Sequence, residues 1–529
     1  MRGTGSVRCD RRAIAAMSER REDPPSLDDP MADAPLGNGT PAPLPGVATH
    51  YLRYSTANVL VIVAGFISFP VLTRLLDNTQ YGILGYYDTW VMLAVALAKL
   101  GAQHAIIRFY PFGGDARQLD HFAVNLFLLP SLLSLALWAA VAAVLGGLAW
   151  AGEESFSPVF WCALLSIPLM VFSSLVEMVF RASERSGLVM LTRVSRRWLE
   201  LAAMLGAVIF LQRSAFAVYG GKILAAVLVL AYCLYWVRRN MRFPRELVDV
   251  PAMLDSLRYG LPLVANEIAA VALISIDRVM LKQMTGDFAL VGIYTIGYSL
   301  AMQVSVFMHA TLYEAFVPVV NRMHGTEGES AVRKLKDRVL LPMTYASIGV
   351  AAMLWGVGED ALVALSGPDK VASGIVFAVI GISCALYPLI EISGYGLLLH
   401  KRSMSVFGIT LGAALLNIAL NLVMIPHYGV MGSVWATVIS TVALGVAHCL
   451  MCPRELLRFP AIGSLALACA CAALLLAAIK AGGSLGIASV WGRLFVAGGL
   501  FLVLYALPIW LLDAKLRTAV LNWRSGVTV

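Results

Sequence analysis

Charged residues are scarce in this chain. Asp, Glu, Lys and Arg make up 14% of the 529 residues, against 59% hydrophobic. Soluble domains carry about a quarter charged residues, so a water-exposed surface for a chain this long cannot be assembled. The composition excludes a soluble enzyme and leaves a polytopic membrane protein crossing the bilayer in apolar helices of about 20 residues. Walker A, HExxH and GxGxxG motifs are missing, which argues against ATP hydrolysis by this chain itself, a metalloprotease site and a dinucleotide cofactor. No cofactor and no metal are expected. The eight His residues are scattered, and Cys162, Cys233, Cys384, Cys449, Cys469 and Cys471 sit in or beside apolar runs. Those cysteines read as small core residues, not as disulfides or metal ligands.

Basic residues are the exception to the shortage, with 40 Lys+Arg against 32 Asp+Glu. Nucleic acid is not the implied partner, because the bases are segregated by loop. Apolar runs fall at 55–76, 86–108, 122–149, 157–180, 197–212, 215–237, 259–282, 290–318, 338–358, 371–399, 404–426, 429–451, 460–480 and 489–512. Between them, Arg117, Arg181 to Arg197, Arg238 to Arg245, Arg333 to Arg338, Lys401-Arg402, Arg454/Arg458 and Lys515 to Arg524 occupy alternate connections. That pattern marks the cytoplasmic side of a multi-pass protein and puts both termini there. Residues 1–48, polar and rich in Pro, Asp and Arg, read as a disordered tail without the apolar run of a signal peptide.

The chain also repeats. "LRYS" at 52–55 returns as "LRYG" at 257–260, Thr73-Arg74 as Asp277-Arg278, Gly82 as Gly292, and "VYGG" at 218–221 as "HYGV" at 427–430. Six spans fill each unit, so the repeats run in the same sense, related by an axis along the membrane normal. The expected organisation is a tail (1–48), a first six-helix lobe (49–240), a linker (241–257), a second lobe (258–452) and two further helices with a cytoplasmic end (453–529).

Three segments carry a family resemblance. "STANVLVIVAGFISFPVLTRLLDNTQYGILGYYDT", "LRYGLPLVANEIAAVALISIDRVML" and "LNIALNLVMIPHYGVMGSVWATVIS" resemble polysaccharide-type lipid-linked oligosaccharide flippases, the Wzx-like branch of the MOP (multidrug/oligosaccharidyl-lipid/polysaccharide) exporter superfamily. The likeness spans roughly 50–452. It implies an all-α fold of about 14 transmembrane helices, with two pseudo-symmetric six-helix lobes around a central polar cavity and two extra C-terminal helices. It further implies alternating access in a bacterial inner membrane, and no enzymatic step. The cargo would be an oligosaccharide on a polyprenyl (pyro)phosphate, the repeat unit of an O-antigen, capsule or exopolysaccharide. Membrane lipids, a coupling H+ or Na+, and a polysaccharide polymerase with its chain-length machinery are the implied partners. Two alternatives share the fold: a peptidoglycan-precursor flippase and a cation-coupled drug exporter. A membrane-embedded polymerase or ligase differs in class, and the outer loops here are short for one.

A charge at mid-bilayer costs about 2.5–3.5 kcal/mol on insertion scales, so it marks a cavity or a partner. Residues eleven apart share a helix face, which puts Asn266 with Asp277, Glu267 with Arg278, Asp88 with Lys99, and Gln303 with Glu314. Gln103 follows Lys99 one turn on, and Tyr387 stacks with Glu391 at four-residue spacing. Lys99, Arg278, Arg74, Gln103 and Arg108 are the candidate substrate contacts, since Arg and Lys suit phosphate. Tyr294, Tyr298 and Tyr387 join them as sugar-stacking surfaces, with packing as the competing reading. Glu267, Asp277, Asp88, Glu314 and Glu391 are the candidate ion-coupling or cavity carboxylates. Arg74 also has Asp77 within reach on its own helix, and Lys222 reads as a residue snorkelling to the headgroups.

Overall fold

Many helix starts here carry a side-chain cap. Asp77 accepts from the Gln80 N–H at 2.7 Å, Asp115 forms a capping box with Gln118, and Ser157, Ser214, Asp249 and Asp287 each satisfy an otherwise orphaned N–H. The computed structural model describes residues 45–152, 156–309, 313–483 and 488–518, and every regular element among them is helical. In chain order these are α1 Pro45–Leu75, α2 Asn78–Ala98, α3 Ala102–Arg108, α4 Ala116–Trp150, α5 Pro158–Ala182, α6 Ser186–Phe210 and α7 Ala215–Asn240. There follow α8 Val250–Thr285, α9 Phe288–Met308, α10 Glu314–Thr326, α11 Glu329–Ser366, α12 Gly374–Ser393, α13 Ser403–Tyr428, α14 Val430–Met451, α15 Ile462–Gly483 and α16 Val490–Leu512. The expected tail falls on residues outside those described, except 45–48, which belong to α1.

Among the described residues, twelve helices are long and apolar enough to cross a bilayer. The chain is thus a multi-pass membrane protein. Two further helices fall on the remaining expected spans without meeting that measure: α1, whose apolar part Val59–Leu75 is shorter, and α6. Helix α6 runs 25 residues and holds Arg193, Arg196, Arg197 and Glu200, which the apolar-run reading had largely assigned to a loop. Large apolar side chains face outward, among them Leu132 and Val141 on α4, Leu415 and Leu422 on α13, and Phe495 and Leu502 on α16. Water would make such a surface aggregate; lipid tails solvate it.

The interior is divided into separate apolar cores. One lies within α1–α7 and includes Leu72, Phe127, Phe180 and Tyr219. Two others lie in α8–α14 and the 452–457 stretch: one around Leu281, Tyr294, Val376 and Ile425 (joined by Phe69 of α1), the other around Met308, Phe316, Leu389 and Leu456. A fourth fastens α15 and α16 to α11 through Tyr345, Leu475, Tyr505 and Ile509. There Tyr505 donates to the Tyr345 carbonyl at 2.7 Å, and Asp360 of α11 pairs with Arg493 of α16.

Several boundaries differ from the apolar-run reading. Residues 250–257, expected as linker, are the first turns of α8. The expected 86–108 span is broken at Leu100 and Gly101, both with positive φ (53° and 82°), so α3 is a separate short helix. Helix α11 is kinked at Val357 (φ −140°), between two glycines and away from its proline, Pro342. Cys449 and Cys452 form a CxxC spacing at the end of α14, yet both are buried free thiols. Several of the basic connections touch one another. Lys336 donates to the Ser393 and Leu456 carbonyls at 3.0 and 2.6 Å, and Asn125 donates to the Leu247 carbonyl at 2.8 Å.

Candidate functional site at the seam between the lobes

Because each lobe has its own apolar core, the surfaces where the lobes meet are free to be polar and to part. Helix α2 supplies most of the first lobe's side of that seam. Toward the end of the seam nearer the basic connections, the helix stops at Lys99, whose ammonium reaches Glu267, halfway along α8, at 2.5 Å. Gln103, on the first turn of α3, donates to the other Glu267 oxygen at 2.7 Å, and His104 Nε2 stands 4.0 Å away. Directly beside this latch the backbones touch. A Cβ added to Gly101 would lie 2.6 Å from Gly260 Cα, closer than any side chain tolerates, and the Phe109 and Tyr259 rings close the contact edge to face at 5.3 Å.

The opposite rim is shut by different means. A Cβ on Gly82 would overlap the Phe288 carbonyl oxygen, and one on Gly292 would overlap the Asn78 carbonyl oxygen, so α2 and α9 meet at a distance that only glycine permits. Arg74, at the end of α1, donates to the Ala364 and Leu365 carbonyls at 2.6 and 2.8 Å. It thereby caps the C-terminus of α11, where the helix dipole favours a cation. Its expected neighbour Asp77 is instead the N-cap of α2.

Between the rims, Thr89 of α2 donates to the Ser275 carbonyl at 3.2 Å, and Tyr81 hydrogen-bonds Ser299 across the seam. Two guanidinium groups approach Tyr81 closely enough to act on it electrostatically, Arg278 from the second lobe and Arg197 from the first. Arg197 also donates to Ser68 at 3.3 Å, and it lies with the Gln303 amide against Gly65. The sequence reading missed Arg197 because a hydrophobicity window begins α6 too late. The four- and three-residue spacing of Arg193, Arg197 and Glu200 on an amphipathic helix was the available signal.

The remaining candidates sort differently. Asp277 is fully buried, accepting from Tyr294 at 2.6 Å, Thr437 at 2.8 Å and Asn421 at 2.7 Å. It is the hub that ties α8, α9, α13 and α14 together within the second lobe. Arg278 packs over the Tyr298 ring at 4.5 Å, so Tyr294 and Tyr298 support these two charges from the core, not from an open sugar-facing surface. Asp88 is held by Lys222 at 2.7 and 2.8 Å and by Tyr219 at 2.7 Å, an internal contact of the first lobe; Lys222 is paired there and does not snorkel. Glu391 pairs with His309 at 3.0 Å. Tyr387 lines an apolar groove of about 350 Å³ with Trp355 and Trp435, on the second lobe's flank. Arg108 is exposed at the end of α3. The Glu314 side chain lies outside what is described. A double-mutant cycle of Lys99→Ala and Glu267→Gln is expected to show coupling of about 0.5–3 kcal/mol in thermal stability; strictly additive effects would mean the latch does not form.

This geometry has counterparts. The sequence matches the family described as polysaccharide biosynthesis protein over residues 49–324. An uncharacterized membrane protein of Methanocaldococcus jannaschii, MJ1375, is 29% identical over 194 residues, covering 36% of this chain and 44% of that protein. That match spans less than half the length of the relative. Among solved structures, the lipid II flippase MurJ in an inward closed conformation superposes with a TM-score of 0.69 at 10% identity, over 87% of this chain and 99% of that one. A MATE family multidrug resistance transporter of the MOP superfamily, in an inward-facing conformation, gives 0.58 at 14% identity over 82% and 99%. The MATE multidrug transporter DinF-BH gives 0.53 at 16% over 77% and 94%. Identities this low speak for a shared fold alone.

Proposed function

We propose, from the premise that this chain belongs to the polysaccharide biosynthesis protein family of the MOP superfamily, that it flips a polyprenyl-(pyro)phosphate-linked oligosaccharide across a bacterial inner membrane. The basic rim is cytoplasmic in this reading, by the concentration of Lys and Arg there. The observation that carries the proposal is the seam. Two lobes, each with apolar cores of its own, are joined by an ion pair and glycine contacts toward one rim, by glycine contacts and carbonyl hydrogen bonds at the other, and by Phe69 and Tyr81 of the first lobe packed on the second lobe's core. Opening one rim while the other stays shut is alternating access.

The chemistry of the seam suits the cargo. Arg197 and Arg278 enter from opposite lobes, and a guanidinium fork matches phosphate oxygens. Tyr81, Ser68, Ser299 and Gln303 offer hydrogen bonds of the kind sugar hydroxyls need. Glu267 is the carboxylate placed for coupling: a proton or Na+ taken up there competes with Lys99 and loosens the cytoplasmic latch. A ligand shifts such an equilibrium only by its differential affinity for the two states, and Glu267 bonded across the seam in one state has that difference.

The experiment is glycan display in a strain lacking its own flippase, with membrane insertion verified. Arg278→Ala is expected to reduce display at least tenfold and Arg278→Lys to restore part of it, because Lys retains the charge without the fork. Full display with both variants would remove Arg278 from the transport path.

A further inference from the structure

On the basic rim of the second lobe, away from the seam, three ligating side chains meet that are far apart in sequence. His324 lies in the last turn of α10, Glu329 begins α11 two residues past the turn at Glu327, and His400 lies in the 394–402 turn between α12 and α13. Their ligand atoms all lie within 4.8 Å of one another. His400 Nε2 already stands 3.3 Å from Glu329 Oε1, and the two imidazole centroids are 5.7 Å apart. We propose that His324, Glu329 and His400 bind a divalent transition-metal ion of the Zn2+ class.

Zn2+ holds His nitrogen and carboxylate oxygen at about 2.0–2.2 Å, which puts ligand atoms of a tetrahedron about 3.4 Å apart. The His400–Glu329 distance meets that value as it stands, and small side-chain rotations bring in His324. Two imidazoles and one carboxylate select a borderline metal over Mg2+ or Ca2+, which prefer all-oxygen shells. Three protein ligands leave a fourth position for water.

The site is also held in place before any metal arrives. Tyr395, in the same turn as His400, packs on Phe316 and Tyr313 at 5.5 and 6.4 Å and hydrogen-bonds Asn321, one turn before His324 on α10. Gly328, with a φ of +78°, reverses the chain so that Glu329 turns back toward His324. Bound metal would staple the α10–α11 connection to the α12–α13 connection, fixing the rim of one lobe without touching the seam.

The test uses the full chain purified in detergent with a tag that contains no histidine. Titration with Co2+ is expected to give one saturable equivalent with visible ligand-field bands, displaced by Zn2+, and Zn2+ should raise the melting temperature. His324→Gln and His400→Gln should each abolish both effects while eluting as folded protein, and Glu329→Gln should weaken binding at least tenfold. His427→Gln, at the far end of α13, should change neither. No saturable binding, or one equivalent retained in both His324→Gln and His400→Gln, overturns the assignment.

Discussion

Gly292→Val is expected to abolish glycan display while the protein still inserts and folds. Gly292 sits on α9 with its Cα against the Asn78 carbonyl, and any Cβ there overlaps that oxygen. The obstacle is backbone at the capped start of α2, so it cannot rotate aside as a side-chain end does. Gly292 is buried on α9, so the variant's membrane insertion and thermal stability are measured beside display, and the effect on closure is read from protein that melts as the parent does. A transporter unable to shut one side cannot complete a cycle, so a loss of tenfold or more is expected. A cysteine at Ser299 should concurrently become more reactive toward a membrane-impermeant thiol reagent. Gly412→Val on α13 is the matched control, since nothing approaches that position within 4 Å. Normal display with Gly292→Val would show that the rim does not need to close as it does in this structure.

Asp277→Ala should fail for a different reason, loss of the second lobe itself. Removing the carboxylate takes away the shared acceptor of the buried Tyr294 hydroxyl, Thr437 hydroxyl and Asn421 amide, leaving Thr437 the Ser433 carbonyl and Asn421 the Asn417 carbonyl within their own helices. Interhelical hydrogen bonds in bilayers are worth about 0.6 kcal/mol on average, with about 1.7 at most. Three lost together amount to roughly 2–5 kcal/mol, enough to lower expression and thermal stability in detergent sharply. Asp277→Asn keeps an acceptor for the tyrosine and threonine, but its new amide replaces the oxygen that accepts from the Asn421 amide, so the Asn421 side chain must flip to present its Oδ1, an oxygen with no partner in the present network. The isostere is therefore expected to restore the fold and the transport with it. A well-folded Asp277→Asn protein that does not transport would move Asp277 from scaffold to ion coupling, the role that the sequence reading had given it.

That contrast shows how far intramembrane charge can be read from sequence. The cost of a bare charge in lipid announces that Asp277, Arg278, Lys99, Glu267 and Asp88 all have partners. It does not say whether the partner lies in the same lobe, across the seam or in a cargo. Lys99, Gln103 and Glu267 converge between lobes, whereas Asp88 and Asp277 are satisfied inside one. The repeated pair is the sharpest case. Arg74 and Arg278 occupy matching places in the two units, yet one caps α11 and the other packs on Tyr298. Internal repetition preserves helix positions while the neighbours diverge.

Composition and periodicity by themselves determined that the chain is all-helical and crosses the membrane many times, and they led to the expectation of two six-helix repeats with the bases in alternate connections. Those are properties of segments, dictated by a bilayer thickness and a helical rise that act on each stretch independently. Which side chains meet was settled by tertiary packing alone. The Glu267 latch spans 168 residues, the Arg74 caps 290 and 291, and the His324–His400 approach rests on two turns that no apolar pattern encodes. A contact between segments depends on the rotation and depth of both helices, and those emerge only when every helix has found its neighbours.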